Sequence, residues 1–235
     1  MVSRLLLCNC LWILACMLGA LALTTAAPAG VAAQTAPQGK GAPVRIVVLG
    51  DSLVAGFELK ASDAFPAQLE RALKARGHAV EVINAGVSGD TTAAGLERLH
   101  WAVPDKTDAV IVELGANDAL RGLDPAKAKA NLDSIITAVK GGGAEVLLAG
   151  MLAPRNMGAD YTRAFDAIYP ALAKKHNVLL YRFFLDGVVL DAQLNLADGM
   201  HPNPEGTAEI TRRILPTVEE LIARVRTHQT AGSGG

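Results

Sequence analysis

Val44-Arg45-Ile46-Val47-Val48-Leu49-Gly50-Asp51-Ser52-Leu53 is an apolar run that ends abruptly in a small, polar turn. A β-branched run of this kind reads as a buried strand, and Gly-Asp-Ser at its end places a serine hydroxyl at the strand's C-terminal edge. That edge is where open α/β sheets keep their chemistry. Taken alone, the tripeptide is also an ordinary loop, since Gly, Asp and Ser are common turn residues. The role of Ser52 therefore depends on what other loops bring to it.

Downstream, the same unit repeats. Phe65, Leu69 and Leu73 fall at spacings of four within Phe65 to Arg76, one face of a helix stopped by Gly77. A second strand, Ala79 to Ala85, runs into Gly86-Val87-Ser88-Gly89-Asp90 and a helix through about Trp101. A third, Asp108 to Leu114, closes on Gly115-Ala116-Asn117-Asp118. Pro125 to Lys140 reads as a helix with proline in its first turn, ended by three glycines. Glu145 to Leu152 is a fourth strand, Tyr161 to His176 a helix, and Val178 to Phe184 a fifth strand. A long loop through Asp198-Gly199-Met200-His201-Pro202 precedes a last helix from about Pro204 to Arg226, with Pro216 as a candidate bend. Strand–helix alternation with short connections argues for a parallel sheet covered on both faces, in one α/β domain spanning 44–226.

Upstream, Arg4 precedes a mostly apolar stretch from Leu5 to Leu23 and a small-residue segment from Thr24 to Ala33, the pattern of a secretory signal peptide over 1–33. Val31-Ala32-Ala33 fits the cleavage rule. An uncleaved anchor and a lipoprotein box at Ile13-Leu14-Ala15-Cys16 are the competing readings. Residues 34–43 read as a flexible lead-in and 227–235 as a disordered tail. Cys8, Cys10 and Cys16, the three cysteines, all lie in the leader. A chain cleaved after Ala33 has no catalytic thiol, disulfide or thiolate metal site, and a secreted chain without disulfides suits a bacterial periplasm. With 22 Lys and Arg against 23 Asp and Glu, no basic face is implied and nucleic acid is an unexpected partner.

Four polar turns now stand at strand ends or just before a helix: Gly50 to Ser52, Ser88 to Asp90, Gly115 to Asp118, and Asp198 to His201. In a parallel sheet they share one rim. Each alone has an ordinary structural explanation; together they supply the parts of acyl transfer. A serine hydroxyl needs a base, for which His201 is the candidate, and the base needs an acceptor to fix its tautomer, for which Asp198 lies three residues away. Candidate oxyanion donors are the backbone N–H groups of Ser52 and Gly89 and the side-chain amide of Asn117. Asp51 and Asp118 are rivals to Asp198, or braces for their loops. His78, His100, His176 and His228 sit near helix ends or in the tail. Val54 stands where a G-x-S-x-G elbow needs its second glycine. No phosphate or dinucleotide cradle follows the first strand, and no H-E-x-x-H spacing supports a zinc site.

The four ordered blocks resemble the SGNH (GDSL) hydrolase family, in particular its secreted bacterial branch of thioesterase- and lysophospholipase-like arylesterases. Val112-Glu113-Leu114, Leu120-Arg121-Gly122 and Ala167-Ile168-Tyr169-Pro170 are also similar to that branch; Ala116 departs from it, where a second glycine is common. The resemblance implies a flavodoxin-like three-layer α/β/α sandwich with a five-stranded parallel sheet, and no cofactor. It assigns Ser52 as nucleophile, His201 as base, Asp198 as its partner, and Ser52, Gly89 and Asn117 as the oxyanion hole. The expected substrates are small carboxylic esters or thioesters, short-chain, aryl or lysophospholipid. Leu120, Arg121, Arg155 and Tyr161 are candidates for lining their site. A carbohydrate O-acetylesterase of the same fold and a non-catalytic periplasmic binding module are the alternatives.

Overall fold

The computed structural model describes residues 42–232. The expected signal peptide with its cysteines, nearly all of the lead-in, and residues 233–235 lie outside the described residues. Five strands form one parallel sheet in the order β2-β1-β3-β4-β5: β1 Val44–Gly50, β2 Val80–Gly86, β3 Ala109–Glu113, β4 Glu145–Ala149 and β5 Leu179–Tyr181. This is the flavodoxin-like doubly wound order. Strands β1 and β3 are interior and almost wholly buried, which is why their sequences run apolar without alternation.

The helices are α1 Ser52–Ala55, α2 Phe65–Ala75, α3 Thr92–Glu97, α4 Leu99–Ala102, α5 Ala116–Leu120, α6 Pro125–Gly141, α7 Ala159–Asp166, α8 Ile168–His176 and α9 Pro204–Gly232. Two layers of them cover the sheet: α2 packs on α9, and α6 packs on both α3 and α8. Phe65, Leu69 and Leu73 form the buried stripe of α2, as their spacing requires.

Several boundaries differ from the sequence reading. The helix expected over 161–176 is two, α7 and α8, parted at Ala167; Pro170 has no N–H to give the carbonyl of Asp166, so the ladder cannot continue unbroken. The helix expected to reach Trp101 is parted at Arg98, whose guanidinium is buried against Asp90. β5 has three residues; Gly150 N–H and Phe184 N–H continue the contact between its end and β4 outside the ladder. The expected disordered tail is helical as far as Gly232, and Gln229 donates to Asp108 Oδ1 at 3.0 Å. Helix α9 runs through Pro216.

Strand register decides where the polar turns meet. Gly50 pairs with Gly86 on one side and Glu113 on the other, and Glu113 pairs with Ala149. Parallel strands ending at matched positions deliver their following turns to a single rim. The segments after β1, β2 and β3 are therefore neighbours by construction.

Candidate active site

Ser52 opens α1, immediately after β1. Asp51 caps that short helix by accepting the Leu53 N–H at 3.0 Å, and Gly56, in the left-handed region at φ +80°, ends it. So brief a turn presents Ser52 at the rim instead of burying it in a longer helix.

The candidate base, His201, comes from the segment before α9. Asn195 bridges Pro202, Leu196 N–H donates to His201 O at 2.8 Å, and Gly199, at φ +68°, makes the reversal between them. Asn203 Oδ1 accepts the Gly206 N–H at 2.9 Å at the start of α9. The loop is thus tied at its base while its tip carries Asp198 and His201.

At that tip, Asp198 Oδ2 lies 2.5 Å from His201 Nδ1, and His201 Nε2 lies 2.9 Å from Ser52 Oγ. A carboxylate on Nδ1 favours the tautomer whose Nε2 can accept the serine proton. Asp198 Oδ1 also accepts the N–H groups of His201 at 3.0 Å and Met200 at 2.9 Å. The backbone bond from His201, then the ring bond, hold the Asp198 carboxyl down at about 2. It is charged wherever the serine chemistry would operate.

Asn117 sits in α5, entered through Gly115. A Cβ on Gly115 would stand 2.2 Å from the Tyr169 hydroxyl, and its φ is +119°, so the position requires glycine twice over. The Asn117 amide donates to Asp90 O at 3.0 Å and to Asp51 Oδ2 at 3.1 Å. These bonds draw the turns after β1, β2 and β3 together. Gly89, at φ +87°, precedes Asp90 in the second turn. Among the described residues, the N–H groups of Ser52 and Gly89 have no protein acceptor, and both belong to segments that Asn117 ties together.

Asp51 and Asp118 are braces by geometry. Asp118 accepts from Thr92 N–H at 2.8 Å and from its hydroxyl at 2.6 Å, fixing the start of α3. Arg121 reaches Gly89 O at 2.8 Å, and Leu120 beside it is exposed. Arg155 pairs with Asp166 at 2.7 Å, and the Tyr161 hydroxyl donates to Leu123 O at 2.8 Å; both polar groups are taken up within the protein. Among the described residues no cluster of His, Cys, Asp and Glu could hold a metal ion.

Three residues were given no role by sequence reasoning. Phe57 places its ring centroid 4.4 Å from that of His201, tilted by 32°. Arg98 donates to Asp90 Oδ2 at 2.6 Å and to Gly50 O at 2.9 Å, joining the first two turns from below. Glu113 ends β3 fully buried beside Asp51. The visible signal for Glu113 was an acid in an otherwise apolar strand; Phe57 and Arg98 gave none.

Comparison with known proteins follows the same lines. The sequence profile of the GDSL-like lipase/acylhydrolase family matches residues 48–208. The chain is 42% identical over 181 residues to an arylesterase of Vibrio mimicus, covering 77% of this chain and 86% of that protein. It is 39% identical over 178 residues to thioesterase 1/protease 1/lysophospholipase L1 of Escherichia coli (strain K12), covering 75% and 84%. Among solved structures, AlinE4, an SGNH-hydrolase family esterase, matches with 45% identity and a TM-score of 0.65 over 77% of this chain and 97% of its own. The family profile over residues 48–208 and a relative 42% identical over 77% of this chain and 86% of its own length place the chain in one family: it belongs to the GDSL-like lipase/acylhydrolases and is a serine ester hydrolase.

Proposed function

We propose that Ser52 is the nucleophile, His201 the general base and Asp198 the group that orients it, with Ser52 N–H, Gly89 N–H and the Asn117 amide forming the oxyanion hole. The observation that carries this reading is the unbroken relay from Asp198 Oδ2 to His201 to Ser52 Oγ, at 2.5 and 2.9 Å. His201 Nε2 accepts the serine proton as Oγ attacks the ester carbonyl, and returns it to the leaving oxygen or sulfur when the tetrahedral intermediate collapses. Water, deprotonated by the same nitrogen, then releases the acid. Asn117 contributes by sharing a hydrogen now aimed at Asp51 or Asp90, while the two backbone N–H groups are open to an oxyanion.

The substrate is a carboxylic ester or thioester with an apolar acyl group. Phe57, Val87, Leu120 and Met200 are large, exposed apolar side chains on the rim segments, which suits an acyl chain lying across the rim better than a polyhydroxylated sugar. That the relatives are an arylesterase and a thioesterase/protease/lysophospholipase points the same way. Leu120 and Arg121 flank this apolar rim; Arg155 and Tyr161 support the loops behind it. Residues 1–33 act as a signal peptide and deliver the enzyme to a bacterial periplasm. Supporting this is the leader's sequence pattern, Arg4 before the apolar stretch Leu5 to Leu23 and the small residues up to Ala33.

Hydrolysis of p-nitrophenyl acetate and butyrate, acyl-CoA thioesters, lysophosphatidylcholine and acetylated sugars by the purified protein tests the substrate class. Turnover of butyrate or longer acyl groups above acetylated sugars is expected; turnover of acetylated sugars alone would replace the reading with that of a carbohydrate deacetylase.

A further inference from the structure

Beneath Ser52 lies a carboxyl for which acyl transfer has no use. Glu113 is wholly buried at the end of β3, opposite Gly50 in the register. It packs so closely that a Cβ on Gly50 would stand 2.7 Å from Glu113 Oε2. That oxygen faces the Asp51 N–H at 3.4 Å, and Oε1 has no partner among the described residues. The buried guanidinium nearby, Arg98, is taken up by Asp90 and Gly50 O, and among the described residues no cation pairs with Glu113.

A carboxylate buried without a counter-charge keeps its proton instead. Burial, then the negative charge of Asp51, hold the Glu113 carboxyl well above the ordinary range. A neutral carboxylic acid has one O–H to donate; Oε1, without a partner among the described residues, is free to carry it, and the adjoining residue Asp51, whose N–H faces Oε2, offers a carboxylate to receive it. Asp51 in turn uses Oδ1 for the Leu53 N–H and Oδ2 for the Asn117 amide. The other titratable groups around this pair are Asp90 from the turn after β2, Arg98 from the junction of α3 and α4, Tyr169 from α8 and His201 from the last loop.

We infer that Glu113 is a positioning residue: as a neutral acid it donates to Asp51, and through that one carboxylate fixes both the turn that carries Ser52 and the amide of Asn117. The inference rests on the roles proposed above for Ser52 and Asn117. It explains why an acid occupies the last position of an apolar strand. An apolar residue there would fill the space and leave Asp51 without its third hydrogen bond.

The test compares Glu113→Gln with Glu113→Leu. Glutamine keeps the length and an N–H donor but cannot ionise; leucine keeps the volume and loses the donor. Glu113→Gln should hold kcat within about threefold, and Glu113→Leu should lower kcat by roughly a hundredfold with KM within about twofold, the size expected when an oxyanion donor is misplaced. Infrared difference spectra of the parent against Glu113→Gln at pH 8 should show loss of a protonated-carboxyl carbonyl band that shifts in D2O. Loss of carboxylate bands instead, or a Glu113→Leu protein as active as Glu113→Gln, would overturn the inference. If Glu113→Leu does not fold, the infrared result decides alone. That readout involves no turnover, so it stands apart from any failure of the assignment of Ser52.

Discussion

A serine hydroxyl attacks nothing at neutral pH until a base takes its proton, and His201 Nε2 stands 2.9 Å from Ser52 Oγ. In the proposed mechanism Asp198 sets the tautomer that makes this nitrogen an acceptor, so Asp198→Asn should lower kcat by roughly 10²- to 10⁴-fold, with KM little changed, in steady-state assays. Asp198 also gives a stability signature. Its carboxyl is held at about 2 against an ordinary 3.8, a lowered value, so its contribution is complete above 3.8 and is lost as pH falls towards 2. Melting curves of the parent and of Asp198→Asn should differ at pH 5 and converge near pH 2. Phe57 touches the other face of the mechanism, its ring lying 4.4 Å from the imidazole. A ring face attracts the imidazolium that forms at the transition state by about 0.5–1 kcal/mol at an exposed site. Phe57→Leu should therefore lower kcat/KM roughly two- to fivefold, and Phe57→Tyr should restore it. Sequence could nominate Ser52, Asp198 and His201 because nucleophile, base and carboxylate are recognisable by type and by their place after a strand or before a helix. It could not nominate Phe57, since an aromatic in a loop carries no sign of which ring it will meet.

The turns between strands and helices do the positioning, and the one after β3 is under the tightest constraint. Gly115 has φ +119° and no room for a Cβ beneath the Tyr169 hydroxyl, which itself donates to Leu114 O at 2.9 Å. Gly115→Ala should cost about 1–3 kcal/mol from the backbone strain alone, read by urea unfolding. It should also lower kcat, because Asn117 two residues on would move. Strand β1 and its turn were legible from the β-branched run and its polar end, and α2 from three residues four apart. The division of the 161–176 helix was written in Pro170, which has no N–H for the carbonyl of Asp166. The shortness of β5 was not written at all: an edge strand's length is set by how its neighbour pairs, and only Leu179–Tyr181 pairs with β4, packed against α8 and α9.

At the scale of the whole molecule, one sheet order and one register explain why residues 149 positions apart, Ser52 and His201, meet. Strand–helix alternation was enough to predict the parallel sheet; the common rim followed from it. What alternation could not convey is the support beneath the rim, where Arg98, Asp51 and Glu113 are joined by contacts among separate segments. All of these parts lie within residues 42–232. A chain beginning at Ala42 should therefore keep its kcat and melt within about 2 °C of the chain beginning at Gln34, less than 1 kcal/mol for a domain of this size; a larger loss would show that residues before Ala42 belong to the folded unit. The central claim is that a covalent acyl-enzyme forms on Ser52. Its most direct test is intact-protein mass spectrometry with peptide mapping after reaction with a p-nitrophenyl phosphonate ester. A single adduct on Ser52, absent from Ser52→Ala together with all esterase activity, is expected. An adduct on another residue, or a Ser52→Ala protein that still turns over p-nitrophenyl butyrate, would contradict it.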